Sequence, residues 1–440
     1  MPFRDIFVTA VVFLSLPYIL GKPYLGIYLW SWLSYMNPHR LSWGFAYDFP
    51  FAYIVALTTL TGMLFSKEPK QIPWTRETRT LLGFILWMLV TTFFAFHPNL
   101  AWLQMEKVAK IQLMIFATLM LVTTKERLQT LVWIIALSLA FYGVKGGIFT
   151  VLHGGVYHVR GPAGTFIGGD NEIGLALIMT IPLLRFLQLS TSNKWMRIGL
   201  TAAMVLSAIA VIGSQSRGAM IGAAAMGTFL WLKSSNKFFT GLVIAVSAML
   251  ILAIMPQQWF QRMSTIKTYE QDPSAQGRIN AWGMAFNLAK DRPLVGGGFE
   301  SFRPDTFAAY APNPDNVHAS HSIYFQVLGE HGFVGLALFL ALGIATWRSG
   351  AWVIKTAKRD PDRKWAADLA AMTQVSMVGY ASAGAFLGLA NFDLYYHVIG
   401  FIIISKVILL REQNQEAPLT PVQEKRIPAF KRRLQKAEHP

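Results

Sequence analysis

Apolar runs of roughly twenty residues recur along the chain, separated by short polar stretches. They fall near 5–21, 24–36, 49–65, 80–96, 106–123, 127–150, 172–190, 197–213, 217–232, 238–255, 323–347, 366–389 and 393–410. A helix needs about 20 residues to cross the hydrocarbon of a bilayer. The run at 24–36 is too short and reads as a half-helix, so the pattern predicts about twelve spans, with thirteen as the upper count. One interruption is far longer than the others, from Pro256 to about Ser322. Within it, Gln276 to Lys290 has helical spacing, with Arg278, Trp282 and Phe286 at i, i+4 and i+8 on one stripe. Asp291 to Phe299 then ends that helix and turns back through Gly296, Gly297 and Gly298. The expected architecture is an all-α polytopic membrane protein, a single transmembrane domain over 1–440 with a helical insertion at 256–322.

Composition narrows the class further. Hydrophobic residues make up 53% of the 440 positions and charged residues 14%, against about 25% charged in an ordinary soluble domain. There is no cysteine, which excludes disulfides, thiol nucleophiles and thiolate metal sites. The formal charge of +16 does not point to nucleic acid, because most basic residues sit in short loops, where they set topology. Lys67, Lys70, Arg76 and Arg79, then the loop 348–365, then the tail 411–440 carry 17 of the 39. Those segments belong on the cytoplasmic side, and alternation places 97–107, 151–171, 213–217 and 256–322 on the opposite face. The C-terminus is then cytoplasmic, its basic tail (Lys425, Arg426, Lys431, Arg432, Arg433) lying on anionic lipid. Arg4 and Lys22 balance, so the side of the N-terminus stays open. The first run lacks a small-x-small cleavage pattern and reads as a retained span.

Basic residues on the outer face go against the topological rule and are therefore informative. Arg217 lies in a polar break, Gly213 to Gly218, inside an apolar stretch from about 200 to 232. It is either a boundary arginine reaching lipid phosphate or a guanidinium aimed into a cavity. Arg160 lies in a loop from Tyr157 to Glu172 with four glycines and a proline, either a structural turn or a loop that approaches a ligand with its backbone. Lys107 and Lys110 follow Glu106, where a Glu106–Lys110 pair competes with a ligand role. The insertion adds Arg262, Lys267, Arg278, Lys290, Arg292 and Arg303, so an anion-handling site at a membrane surface is the first expectation. The glycine triplet is a turn or a phosphate nest. His321 stands at the entrance of the next span, where a helix N-terminus and nearby arginines favour the neutral imidazole that a general base requires. The alternative is an interfacial hydrogen-bonding histidine. His318, His321 and Asp315 offer a further, weaker possibility of a metal chelate. Gly329, Gly332 and Gly335 at three-residue spacing suggest close approach to a neighbouring helix.

His321-Ser322, nine residues, and then Gly332-Phe-Val-Gly335 resemble the His-(Asn/Ser/Gln)-x9-Gly-x-x-Gly motif of bacterial O-antigen ligases of the WaaL type. Arg278, Trp282 and Pro293 to Phe302 resemble the outer-loop pattern of the same superfamily, and Ser216-Arg217-Gly218 its intramembrane arginine motif. Asn37 to Trp43 is similar to a subgroup found beside exosortase-type systems. Ser322 replaces the commoner asparagine, which blurs the subfamily. The resemblance implies a multi-pass inner-membrane glycosyltransferase of GT-C-like architecture with its active site facing the periplasm. Its donor would be a glycan on undecaprenyl diphosphate, its acceptor a sugar hydroxyl of lipid A–core. Carried over, His321 would deprotonate the acceptor, and Arg217 and Arg278 would hold the diphosphate. Arg160 and Lys107 join them from position alone. Guanidinium groups bind phosphate bidentately, so neither metal nor cofactor is expected, and attack opposite the leaving group implies inversion. An O-antigen polymerase or a protein O-oligosaccharyltransferase shares this architecture. A transporter of lipid-linked glycans is the alternative from another class, but no inverted repeat is visible and the notable residues gather at the outer edge rather than the midplane.

Overall fold

The computed structural model describes residues 3–264 and 272–416. The side chain of Arg262, Lys267 and the basic residues of the tail beyond Glu416 lie outside the described residues. Among the described residues there are sixteen α-helices and no strand. They are α1 (Phe3–Gly21), α2 (Tyr24–Met36), α3 (Phe51–Phe65), α4 (Arg76–Phe93), α5 (Pro98–Leu121), α6 (Lys125–Leu152), α7 (Asp170–Ser190) and α8 (Lys194–Gly213). The second half runs α9 (Arg217–Lys233), α10 (Lys237–Ile254), α11 (Gln257–Ser264), α12 (Pro273–Asp291), α13 (Pro304–Tyr310), α14 (Ile323–Ala357), α15 (Lys364–Ala383) and α16 (Asp393–Glu416).

Every apolar run contains a helix. Six helices (α1, α6, α7, α8, α14 and α16) are long and apolar enough to cross a membrane. The short run at 24–36 is the 13-residue α2, stopped by Asn37 in the left-handed region at φ 46°. α7 and α16 are the most deeply packed of the six, with 83% of the residues in the apolar 18-residue stretch of each buried. In α1 that share is only 22%, which puts it at the periphery.

Three boundaries differ from the hydropathy reading. The segment 97–107 is helical from Pro98 onward, because proline at the first helical position has the right φ and no N–H to lose. α14 continues through the expected loop 348–365 as far as Ala357, so Arg348 and Lys355 lie on helix. The run 366–389 does not stay helical: α15 ends at Ala383, and the chain passes through a short 3-10 turn, Gly384–Phe386, into irregular backbone. Tyrosines supply donors to that backbone, with the Tyr380 hydroxyl donating to Leu389 O at 3.0 Å and the Tyr396 hydroxyl to Ala390 O at 3.0 Å. Non-helical backbone at such depth is tolerated where protein groups satisfy it.

α14 is two helices in line. Gly332 sits at φ 66°, ψ −171° and breaks it. A break frees carbonyls that need donors, and each receives one from another element. Gly297 N donates to Gly329 O at 2.8 Å, Gly298 N to Glu330 O at 2.9 Å, and Trp87 Nε1 to His331 O at 3.1 Å. Phe333 N closes the joint on Pro293 O at 2.8 Å. A side chain at Gly332 would lie 2.5 Å from Leu294 O and would also have to adopt positive φ, so glycine is required there. The insertion is thus inlaid into α14 through its glycine turn. The stripe of α12 faces the same helix, Trp282 stacking on Phe325 at 5.1 Å and Phe286 meeting Phe333 edge-on at 6.4 Å.

Candidate active site

Arg217 is placed by a three-residue break. α8 ends at Gly213, Gln215 turns the chain at φ 56°, and the Ser216 hydroxyl accepts from Ala219 N at 3.1 Å as the N-cap of α9. The loop 153–169 lies across this break. Val159 N donates to Gly213 O at 3.0 Å, and Gln215 Nε2 donates to Gly155 O at 3.0 Å and Val156 O at 3.2 Å. α7 enters from the same side, its Asn171 Oδ1 accepting from the Ser216 hydroxyl at 2.5 Å. Side chains at Gly174 and Gly218 would collide with Ala219 and Phe386 respectively, so the N-terminal end of α9 is wedged between α7 and the turn after α15. Arg217, the first residue of α9, is 18% exposed, and its guanidinium is bonded to the Asp272 carboxylate, itself 13% exposed.

Asp272 caps α12, accepting from Ser274 N at 2.9 Å. The bond from Arg217 holds its carboxyl below the ordinary value. Arg278 lies on the second turn of the same helix. Its Nε is buried with no hydrogen-bond partner among the described residues. Burial first, and then the charge of Arg217, pull its guanidinium down from the usual value, while Asp272 and Asp170 act in the opposite sense. An arginine in that state remains charged. It is a donor without an acceptor.

His321 closes the cluster. The backbone around it is pinned: Trp282 Nε1 donates to Ser320 O at 2.8 Å, and the Ser322 hydroxyl caps α14 at Phe325 N. His321 itself is left-handed at φ 41°, a conformation that costs a non-glycine residue about 1–3 kcal/mol and that clusters at functional positions. Burial lowers its pKa most, followed by Arg278 and His318, with Asp170 opposing. The imidazole is therefore neutral at pH 7 and able to accept a proton. His318 stacks over Gly277, where a side chain would fall 2.3 Å from the ring. Among the described residues no group of three or more His, Asp or Glu side chains is placed to complete a chelate with these two histidines.

The geometry brings together Arg217, Arg278 and His321. Arg160 is exposed, one residue after the Val159 that pairs with the break. Lys107 rests over the ring of Phe166, in the same loop, at 4.3 Å. Lys110 is taken by Glu106 at 2.5 Å. The amides of the glycine triplet are all spent, Gly296 N on Arg292 O and the other two on α14, so the turn does not form a nest. Gly329, Gly332 and Gly335 do not present one face to one neighbour: the first meets Phe302, the second the Pro293–Leu294 backbone, the third His331. Two carboxylates escaped the sequence reading, Asp170 and Asp272. Both looked like ordinary acids at helix N-termini, which is the commonest place to find them.

The class is set by these features: an all-helical, multi-pass membrane protein whose one end gathers two guanidinium groups and a neutral histidine. A family model described as O-Antigen ligase matches residues 202–340, the stretch from α8 to the first turns of α14 beyond the break. A second, described as a family of unknown function (DUF5935), matches residues 3–191, which covers α1 to α7. No curated protein matches the chain. Residues 202–340 thus form an O-antigen ligase domain by similarity, which supports a place for the chain in the O-antigen ligase/polymerase superfamily. At that coarse level the match and the apolar helices indicate a bacterial multi-pass membrane protein, and the family implies glycosyltransferase-like ligase/polymerase activity on lipid-linked glycans.

Proposed function

We propose that this protein is an O-antigen ligase. It transfers a glycan from undecaprenyl diphosphate to a sugar hydroxyl of lipid A–core at the periplasmic face of the inner membrane. The observation that carries the reading is His321, a strained, neutral imidazole whose electrostatic partners include a half-buried arginine with a buried, unbonded Nε donor. Arg278 and Arg217 hold the diphosphate. Arg217 reaches it by exchanging the Asp272 carboxylate for a phosphate oxygen, a like-for-like replacement of one anion by another. Arg160 and Lys107, on or against the 153–169 loop, supply further positive charge at the rim.

In the reaction His321 removes the proton from the acceptor hydroxyl as that oxygen bonds the anomeric carbon. The bond from that carbon to the diphosphate breaks, and the leaving charge falls on the guanidinium groups. Fixed donors at the position where charge develops stabilise the transition state without reorganisation. Attack from the face opposite the diphosphate inverts the anomeric centre. The mechanism asks for no metal, and the C-terminus lies on the cytoplasmic side.

The test is a transfer assay with the purified full chain, undecaprenyl-diphosphate-linked glycan and lipid A–core. His321→Ala should lose on the order of 10²–10⁴ in transfer, the usual worth of a positioned base, while donor binding is retained. Full transfer by His321→Ala removes this histidine from the mechanism. Product formed only on a second lipid-linked glycan, or on protein, replaces lipid A–core as the acceptor.

A further inference from the structure

Asp170 is an acid at a helix N-terminus, an ordinary place, and its surroundings set it apart. It is the first residue of α7, next to the Asn171 that bonds Ser216, the residue before Arg217. Its charge is felt by both Arg278 and His321. It is not bonded to either arginine. His158 Nδ1–H donates to its Oδ2 at 3.0 Å, and Asn171 N donates to its Oδ1 at 2.9 Å. The His158 and Asp170 side chains are 27% and 22% exposed, so the pair is fixed by the protein yet open to a ligand. Each carboxylate oxygen keeps lone-pair capacity beyond the one donor it has.

A fixed carboxylate weakens a site whose only task is to bind phosphate, because like charges repel. The second acid of the cluster, Asp272, already has a guanidinium to neutralise. Asp170 therefore serves something other than the anion. The ligand that favours an ionised, pre-oriented carboxylate is a polyol, since sugar hydroxyls donate to it in charge-assisted hydrogen bonds. The groups whose environment it shares bracket the scissile bond under the reading above, with Arg278 on the diphosphate side and His321 on the acceptor side. The sugar bonded to the diphosphate has to lie between them.

We propose that Asp170, held in orientation by His158, recognises hydroxyls of the donor sugar attached to the diphosphate. The inference rests on the proposed donor chemistry and adds a sugar subsite to it. Asp170 is a binding residue here, and His158 is a positioning residue that fixes which carboxylate lone pairs remain available.

The experiment uses the full chain in lipid nanodiscs and measures binding of two probes, undecaprenyl diphosphate and undecaprenyl diphosphate bearing N-acetylglucosamine. The unsubstituted protein should bind the sugar-bearing probe at least tenfold more tightly. Asp170→Asn and Asp170→Ala should bring that ratio close to one. Both should bind the bare diphosphate at least as well as before, since a negative charge has left. His158→Gln, which keeps a donor, should retain part of the preference. Variants that weaken both probes by one factor, or that leave the ratio unchanged, overturn the sugar subsite. An unsubstituted protein that binds both probes equally also overturns it, and leaves the donor reading standing. If it binds neither probe, the donor reading itself has failed, and the subsite with it.

Discussion

Two charged clusters sit at opposite ends of α14, and they differ in what they leave unsatisfied. Toward the C-terminal end of α14, Ser349 bonds the Glu77 carboxylate of α4, and Lys406 Nζ of α16 donates to Ser349 Oγ at 2.8 Å. Lys406 also lies 3.6 Å from Glu77, which is 1% exposed. That cluster joins three helices. Its unbonded atom among the described residues, Glu77 Oε2, is a buried acceptor. About 40 Å away along the helix, Arg217 and Asp272 join α9 to α12 with the same kind of ion pair. There the spare atom is a donor, Arg278 Nε, and its neighbours are partly open. An ion pair with an acceptor to spare fastens helices and repels an anion. The same chemistry with a donor to spare invites one.

Substitutions should separate the two clusters cleanly. Arg278→Lys keeps the charge but loses the planar fork, so transfer should fall by about ten- to a hundredfold with little change in melting temperature. Wild-type transfer by this variant would make Arg278 a mere counter-charge. Lys406→Met should do the reverse. It strands a buried carboxylate at a cost of about 3 kcal/mol, read as a lower melting temperature in detergent, while transfer per folded molecule holds. Adding Glu77→Gln should restore much of the loss, and a double variant as unstable as the single would contradict the pairing. The smallest effect concerns pH. Burial and Arg278 hold the His321 pKa below the usual value near 6.5. The acidic limb of the transfer profile should therefore begin below that value, because the neutral base survives to lower pH. In Arg278→Lys the limb should stay close to its place, whereas Arg278→Gln should move it upward by removing the positive neighbour.

The glycine turn shows how far a pattern carries and where it stops. Pro293 to Gly298 and the pair Gly332, Gly335 are legible as motifs, with Gly332 34 positions after Gly298. That they are two halves of one joint is not, because hydrogen bonds between distant segments leave no periodic trace. Arg217 was visible as a charge in an apolar stretch, and His321 as a histidine at a helix entrance. Asp272 and Asp170 were invisible as site residues, since an acid at a helix N-terminus is expected for capping alone. The end of α15 was missed for a related reason: the run to 389 is apolar, and its irregular backbone is made tolerable by the hydroxyls of Tyr380 and Tyr396 folding back onto it.

Hydropathy, loop charge and motif spacing determined that this chain is a helical membrane protein, which residues stand out chemically and which superfamily they resemble. Those are properties of local composition, and local composition survives in one dimension. Which arginine already has a carboxylate and which one lacks a partner was decided only by tertiary structure. So were the inlay of the insertion into α14 and the links from α7 to α9 and from α9 to α12. A pairing energy depends on distances between segments that the chain order separates by tens to hundreds of residues, and those distances exist only once the helices have packed.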